Sequence, residues 1–163
     1  MMIRNAPQRT HLPDNGAGDP SPPRILVAED DDEMRLLLAW SLRWEGYDVV
    51  QCQDGMQLLD ALSTSIVEGE TERLALVISD IRMPGISGLE ILRGLQLSNK
   101  FPPMVLITAF GDEETHAEAD RLGAAAMFDK PFAIEALMVK VREILKDARE
   151  NGGEGGDPGS IPA

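Results

Sequence analysis

At 163 residues, with 28 acidic against 15 basic side chains and a net charge of −13, the chain is long enough for one domain with a real core. A surface that acidic disfavours phosphate backbones and anionic membranes, which argues against direct nucleic-acid or membrane binding. Cys52 is the only cysteine, so an intrachain disulfide and a thiolate metal cluster are excluded; His11 and His116 lie too far apart in sequence to suggest a zinc site.

Residues 1–23 are rich in Pro, Gly, Asp and Asn, contain no signal-peptide stretch, and are expected to be a disordered tail. Residues 150–163, rich in Gly and Pro, receive the same reading, which leaves a domain over 24–149. No apolar run approaches the roughly 20 residues of a spanning helix, so a soluble cytoplasmic protein is expected.

Arg24 to Ala28 reads as a buried strand that ends in the acidic run Glu29 to Glu33. The next helix has Met34, Leu37, Leu38, Ser41 and Leu42 at helical spacing, and Gly46 fits the position just past its end. Tyr47 to Gln51 is a second strand. Asp54 can cap a second helix with Leu58, Leu59, Leu62 and Ile66 inward. A third apolar run, Leu76 to Ser79, leads into Asp80 and then the turn Met83-Pro84-Gly85. Ser87 and Glu90 are spaced as a capping box for a helix burying Ile91, Leu92 and Leu95.

Pro103 to Thr108 is a fourth strand. Asp112 can cap a helix that ends at Gly123 and has little apolar face beyond Ala119 and Leu122. Ala124 to Phe128 is a fifth strand with Lys130-Pro131 beyond it, and the last helix turns Ile134, Leu137, Val141, Ile144 and Leu145 inward. Apolar strands alternating with helices predict an α/β fold with a five-stranded parallel sheet covered on both faces.

In a parallel sheet all strand ends open on one rim, which here receives Glu29, Asp30, Asp80, Thr108 and Lys130. Three carboxylates together repel and raise one another's pKa unless a cation intervenes; Mg²⁺, a hard ion that keeps several waters, suits so few protein ligands. Lys130 offers a compact charge and Thr108 a hydroxyl donor for phosphoryl oxygens. Together they read as a phosphoryl-transfer site with a carboxylate nucleophile.

The acidic pair Glu29-Asp30, Asp80 followed by Met83-Pro84-Gly85, Thr108-Ala109 and Lys130-Pro131-Phe132, in this order, resemble the receiver domain of two-component response regulators. The resemblance runs from Arg24 to about Ala148 and implies a doubly wound, flavodoxin-like sheet of order 2-1-3-4-5. It implies that Asp80 accepts a phosphoryl group from a sensor histidine kinase or a histidine phosphotransfer protein. Asp30, Asp80 and the Arg82 backbone carbonyl would hold Mg²⁺ (Mn²⁺ as an alternative), with Glu29 reaching it through water. Lys130, its bond to Pro131 cis, would contact a phosphoryl oxygen, and Thr108 would swing toward it. The output would be a changed binding surface, with no fused output domain expected after Ala148.

Met127 departs from the family pattern, which usually has an aromatic three residues before the lysine; a flexible thioether fixes one rotamer less firmly. Phe128 would not replace it, because strand neighbours face opposite sides. Arg82 and Phe110, two past the aspartate and two past the threonine, would border the path of attacking water and slow hydrolysis.

Plainer readings apply to other positions. Asp31, Asp32 and Glu33 suit the start of a helix. His116 is expected to be exposed and inert, and Cys52 to be small and buried. Trp40 and Trp44 are expected to pack at the boundary of the first helix, with partner docking as the alternative. Two competing functions are a small Mg²⁺-dependent phosphohydrolase with an aspartyl nucleophile and a degenerate receiver that binds partners without phosphorylation. Against the first, Arg82 stands where such enzymes carry a second carboxylate.

Overall fold

The computed structural model describes residues 21–98 and 101–152; of the tails expected at 1–23 and 150–163, residues 1–20 and 153–163 lie outside the described residues. Strands and helices alternate as β1 (Arg24–Ala28), α1 (Asp32–Trp44), β2 (Asp48–Cys52), α2 (Gly55–Val67), β3 (Leu74–Asp80), α3 (Gly88–Leu95), β4 (Met104–Thr108), α4 (Glu113–Arg121), β5 (Ala126–Asp129) and α5 (Ile134–Gly152). All pairings are parallel and the order is β2-β1-β3-β4-β5, so successive connections diverge between β1 and β3. Open α/β sheets hold ligands beyond the strand carboxyl ends at such a switch point.

Side-chain alternation splits the core into two layers. Ile25, Val27, Leu76, Ile78, Val105 and Ile107 pack under α1 and α5, while Leu26, Val77 and Leu106 pack with α2, α3 and α4. Phe128 belongs to the first layer and Met127 to the second, the opposition expected of strand neighbours.

Local chemistry fixes the boundaries. The side chains of Asp31, Asp54, Ser87 and Asp112 accept backbone N–H bonds at the starts of α1 to α4, and Ser87 and Glu90 form the complete capping box. Gly46 follows α1 at φ +97°, a left-handed conformation that glycine tolerates without strain. Helix α5 continues through 150–152, residues expected in the tail, because Ala148, Arg149 and Glu150 are compatible with helix and sustain it to Gly152.

Two helical faces differ from expectation. On α1 the buried residues are Arg35, Leu38, Ala39 and Leu42, whereas Leu37 is exposed. The whole segment from Leu36 to Trp40 is apolar, so spacing did not distinguish the inward stripe. Arg35 heads the buried stripe: it is only 6% exposed, its Nη1 donates to the Glu29 carbonyl at 2.9 Å and its Nη2 bonds Asp32. On α2, Ile66 faces outward and Ser65 takes the buried position, donating its hydroxyl to the Ala61 carbonyl.

Candidate functional site

Strand register builds the rim. Ala28 pairs with Ser79, Asp80 with Ile107 and Thr108 with Asp129, so four chain segments end at one height. Backbone bonds beyond the strands keep them level: Glu29 N donates to the Cys52 carbonyl, Ile81 N to Ile107 and Lys130 N to Thr108. Gly88 seats the α3 start directly against this rim. A Cβ there would come within 2.5 Å of the Asp80 carbonyl oxygen and 3.2 Å of Ile81 Cα, both rigid backbone atoms.

The expected residues converge. Asp80, 5% exposed, receives Arg82 N on Oδ1 at 2.9 Å and Lys130 Nζ on Oδ2 at 2.8 Å. The same ammonium donates to Glu29 Oε2 at 2.9 Å, and Glu29, 1% exposed, also takes the Asp31 N–H on Oε1. Carboxylate oxygens of Glu29, Asp30 and Asp80 all lie within 4.8 Å of one another. Such an all-oxygen set, two of its members buried against one ammonium, has the donor chemistry and the surplus negative charge to hold a hard divalent cation. The Lys130–Pro131 bond is cis.

Burial is the largest influence on Glu29 and pushes its carboxyl up to about 7; the Lys130 bond pulls it back and the Asp80 charge raises it further. Desolvation thus outweighs the mutual repulsion anticipated from the sequence. Burial also pulls the Lys130 ammonium down, but its bonds to Asp80 and Glu29 prevail and its pKa is raised. Between about pH 4.5 and about 7 the folded, metal-free protein retains a proton on Glu29 that the unfolded chain releases. This contribution is therefore full at the acid end of that window and is lost as pH rises through it. The melting temperature of EDTA-treated protein, relative to Glu29→Gln, should fall across this window; parallel profiles would count against it.

Thr108 is buried, and its Oγ1 accepts the Phe110 N–H at 3.1 Å. Arg82 and Phe110 meet: the guanidinium carbon lies 4.3 Å from the ring centroid, so the β3–α3 and β4–α4 loops touch beside Asp80. Met127 lines a recess of about 410 Å³ with His116, Asp120 and five alanines of α4, β5 and the turn between them. Cys52 is buried as expected, and burial pushes its thiol up to about 11.

Two expectations fail. Trp40 and Trp44 are not boundary residues: they are 69% and 81% exposed and stack on each other at 5.8 Å, because Leu38 and Leu42 turn the opposite side of α1 to the sheet. His116 is not inert, for its Nε2 lies 2.9 Å from both carboxylate oxygens of Asp129. Sequence reading also missed Arg35, although a charge three and seven residues before the core leucines Leu38 and Leu42 was a signal. Nothing in the sequence linked His116 to Asp129.

Residues 25–142 match the response regulator receiver domain family. Sporulation initiation phosphotransferase F of Bacillus subtilis is 32% identical over 75% of this chain and 93% of its own length. The transcriptional regulatory protein FixJ of Azorhizobium caulinodans is 35% identical over 78% of this chain, and the uncharacterized transcriptional regulatory protein YkoG of B. subtilis is 35% identical over 84%. The chain spans only 57% and 56% of those two relatives. Among solved structures, the receiver domain of the Francisella response regulator 1452 superposes with a TM-score of 0.69 at 25% identity, covering 77% of this chain and 98% of that one. With the sheet order, the rim and these matches in agreement, the chain belongs to the response regulator receiver family.

Proposed function

We propose that Asp80 accepts a phosphoryl group from the phosphohistidine of a sensor kinase or histidine phosphotransfer protein, with Mg²⁺ as cofactor and Mn²⁺ as a substitute. The observation that carries this reading is a carboxylate held at the sheet rim by Arg82 N and Lys130 Nζ, beside two further carboxylates. Asp30, Asp80 and the Arg82 carbonyl are the proposed ligands, with Glu29 acting through water. A divalent ion there offsets the carboxylate charge and stabilises negative charge on phosphoryl oxygens.

An Asp80 carboxylate oxygen forms the new P–O bond as the P–N bond of the donor imidazole breaks, and the electron pair returns to the ring nitrogen. The product is an acyl phosphate. Lys130 transfers its hydrogen bond from Asp80 to a phosphoryl oxygen, and the Thr108 hydroxyl donates to another, drawing the β4–α4 loop with it. Helix α4 buries only Ala119, which supports its movement as the readout, with Met127 beneath it as a compliant contact. The exposed pair Trp40 and Trp44 supports a partner-docking role for α1.

We assign the protein to the cytoplasm, with protein partners rather than nucleic acid; among the described residues no helix is long and apolar enough to cross a membrane. Incubation with acetyl phosphate and Mg²⁺ tests the reading by intact mass. One added phosphoryl group, labile to hydroxylamine and absent with EDTA, is the expected result. An unlabelled protein would instead favour partner binding without phosphorylation.

Arg82 and Phe110 are proposed to shield the acyl phosphate, since their stacked side chains close two loops on one side of Asp80. A cation on an aromatic face is worth about 1 kcal/mol, so Arg82→Asn with Phe110→Glu should shorten the acyl-phosphate lifetime by roughly fivefold. An unchanged decay of labelled protein in a time course would refute the shield.

A further inference from the structure

We propose that His116 is a positioning residue: with Asp129 it latches α4 to the end of β5 and holds the β4–α4 loop in its resting place. The proposal deepens the phosphoryl-acceptor reading and rests on it for its effect on rate. His116 lies on α4, and Asp129 is the last residue of β5, paired in register with Thr108 and adjacent to Lys130. The imidazole Nε2 stands 2.9 Å from each Asp129 oxygen, so the pair bridges two elements whose packing is otherwise thin. Ala119 is the only buried residue of α4. Polar ties therefore carry a large share of its attachment: His116–Asp129 toward β5, and Arg93–Glu118 at 2.6 Å toward α3.

Gly111 ties the latch to the loop. A Cβ at that position would collide with Asp129 Oδ1 and approach His116 Nε2 to 2.8 Å, so the loop backbone lies directly against the pair. Three residues earlier, Thr108 Oγ1 accepts the Phe110 N–H, which makes Thr108, Phe110 and Gly111 one short lever. If Thr108 moves toward a phosphoryl group, Gly111 must move past His116 and Asp129. An intact latch favours the resting arrangement, and its loss shifts the population toward the competent one.

The pair is half-exposed, so the effect is modest. In His116→Ala and in Asp129→Ala, phosphorylation by acetyl phosphate should be roughly two- to fivefold faster. The double variant should be no faster than either single one, because both remove one interaction. His116→Gln, which retains an N–H donor at the Nε2 position, should return the rate to that of the parent, and Gly111→Ala should reproduce the increase with both partners present. Arg93→Ala, which loosens α4 from the α3 side alone, should leave the rate unchanged.

Hydrogen exchange of the unphosphorylated protein over residues 109–121 is the independent readout, and protection should fall by a similar factor in His116→Ala. Lost protection in a protein that is never labelled would sink the acceptor reading and leave the latch standing. A labelled parent whose His116→Ala variant changes neither exchange nor rate would overturn the latch. So would a rate increase in Arg93→Ala, or multiplying effects in the double variant.

Discussion

Asp80→Asn is expected to abolish labelling by acetyl phosphate completely while leaving the fold intact. An amide is isosteric with the carboxylate but lacks the negative charge that makes the oxygen nucleophilic. Its carbonyl oxygen can still accept from Arg82 N or Lys130 Nζ, one of the two donors that hold the native side chain. The ammonium keeps Glu29 as a partner at 2.9 Å, so no buried charge is stranded. One negative charge also leaves a cluster in which a single lysine faces three carboxylates, so the melting temperature of the metal-free variant should equal or exceed that of the parent. Intact mass and thermal melting check both halves. A variant that still gains a phosphoryl group would place the acceptor elsewhere.

Lys130→Met should do the reverse, damaging stability and chemistry together. Methionine fills much of the space but leaves Glu29 and Asp80, 1% and 6% exposed at the side chain, without their shared cation. Breaking a buried pair by removing one partner costs about 3–5 kcal/mol, and the 19% exposure of the lysine reduces this to roughly 2–3 kcal/mol. In EDTA the melting temperature should drop by about 5–10 °C. Part of that loss should return with excess Mg²⁺, because a ligand of the folded state alone stabilises it by mass action. Losing a hydrogen-bond donor aimed at developing phosphoryl charge should slow labelling by roughly a hundredfold. Parallel melting and labelling series in EDTA and Mg²⁺ measure both effects. A variant as stable as the parent without metal would show that Lys130 does not neutralise this cluster.

Much of this was legible because it is local. The Ser87–Glu90 capping box, the Asp54 and Asp112 caps and the abrupt polar ends after Ala28 and Ser79 each depend on residues a few positions apart. The sheet order is not local: periodicity predicted five parallel strands, and their arrangement came only from the resemblance, which the topology bears out. On α1, apolar residues on both sides left the inward face undetermined, so the exposed tryptophans were misassigned and the buried Arg35 was overlooked. The cause of the Glu29 shift was misjudged for a related reason, since desolvation depends on surroundings that a list of charges does not reveal. His116 and Asp129 are 13 residues apart on different elements, and no spacing rule joins them.

The single buried apolar anchor of α4 has an evolutionary consequence. Apart from His116 and Glu118, the outward-facing residues of that helix contribute little to its attachment, so substitutions there are filtered weakly for foldability. On the proposed function, the partner contacts of α4 can therefore change without disturbing the carboxylates and lysine at the sheet rim.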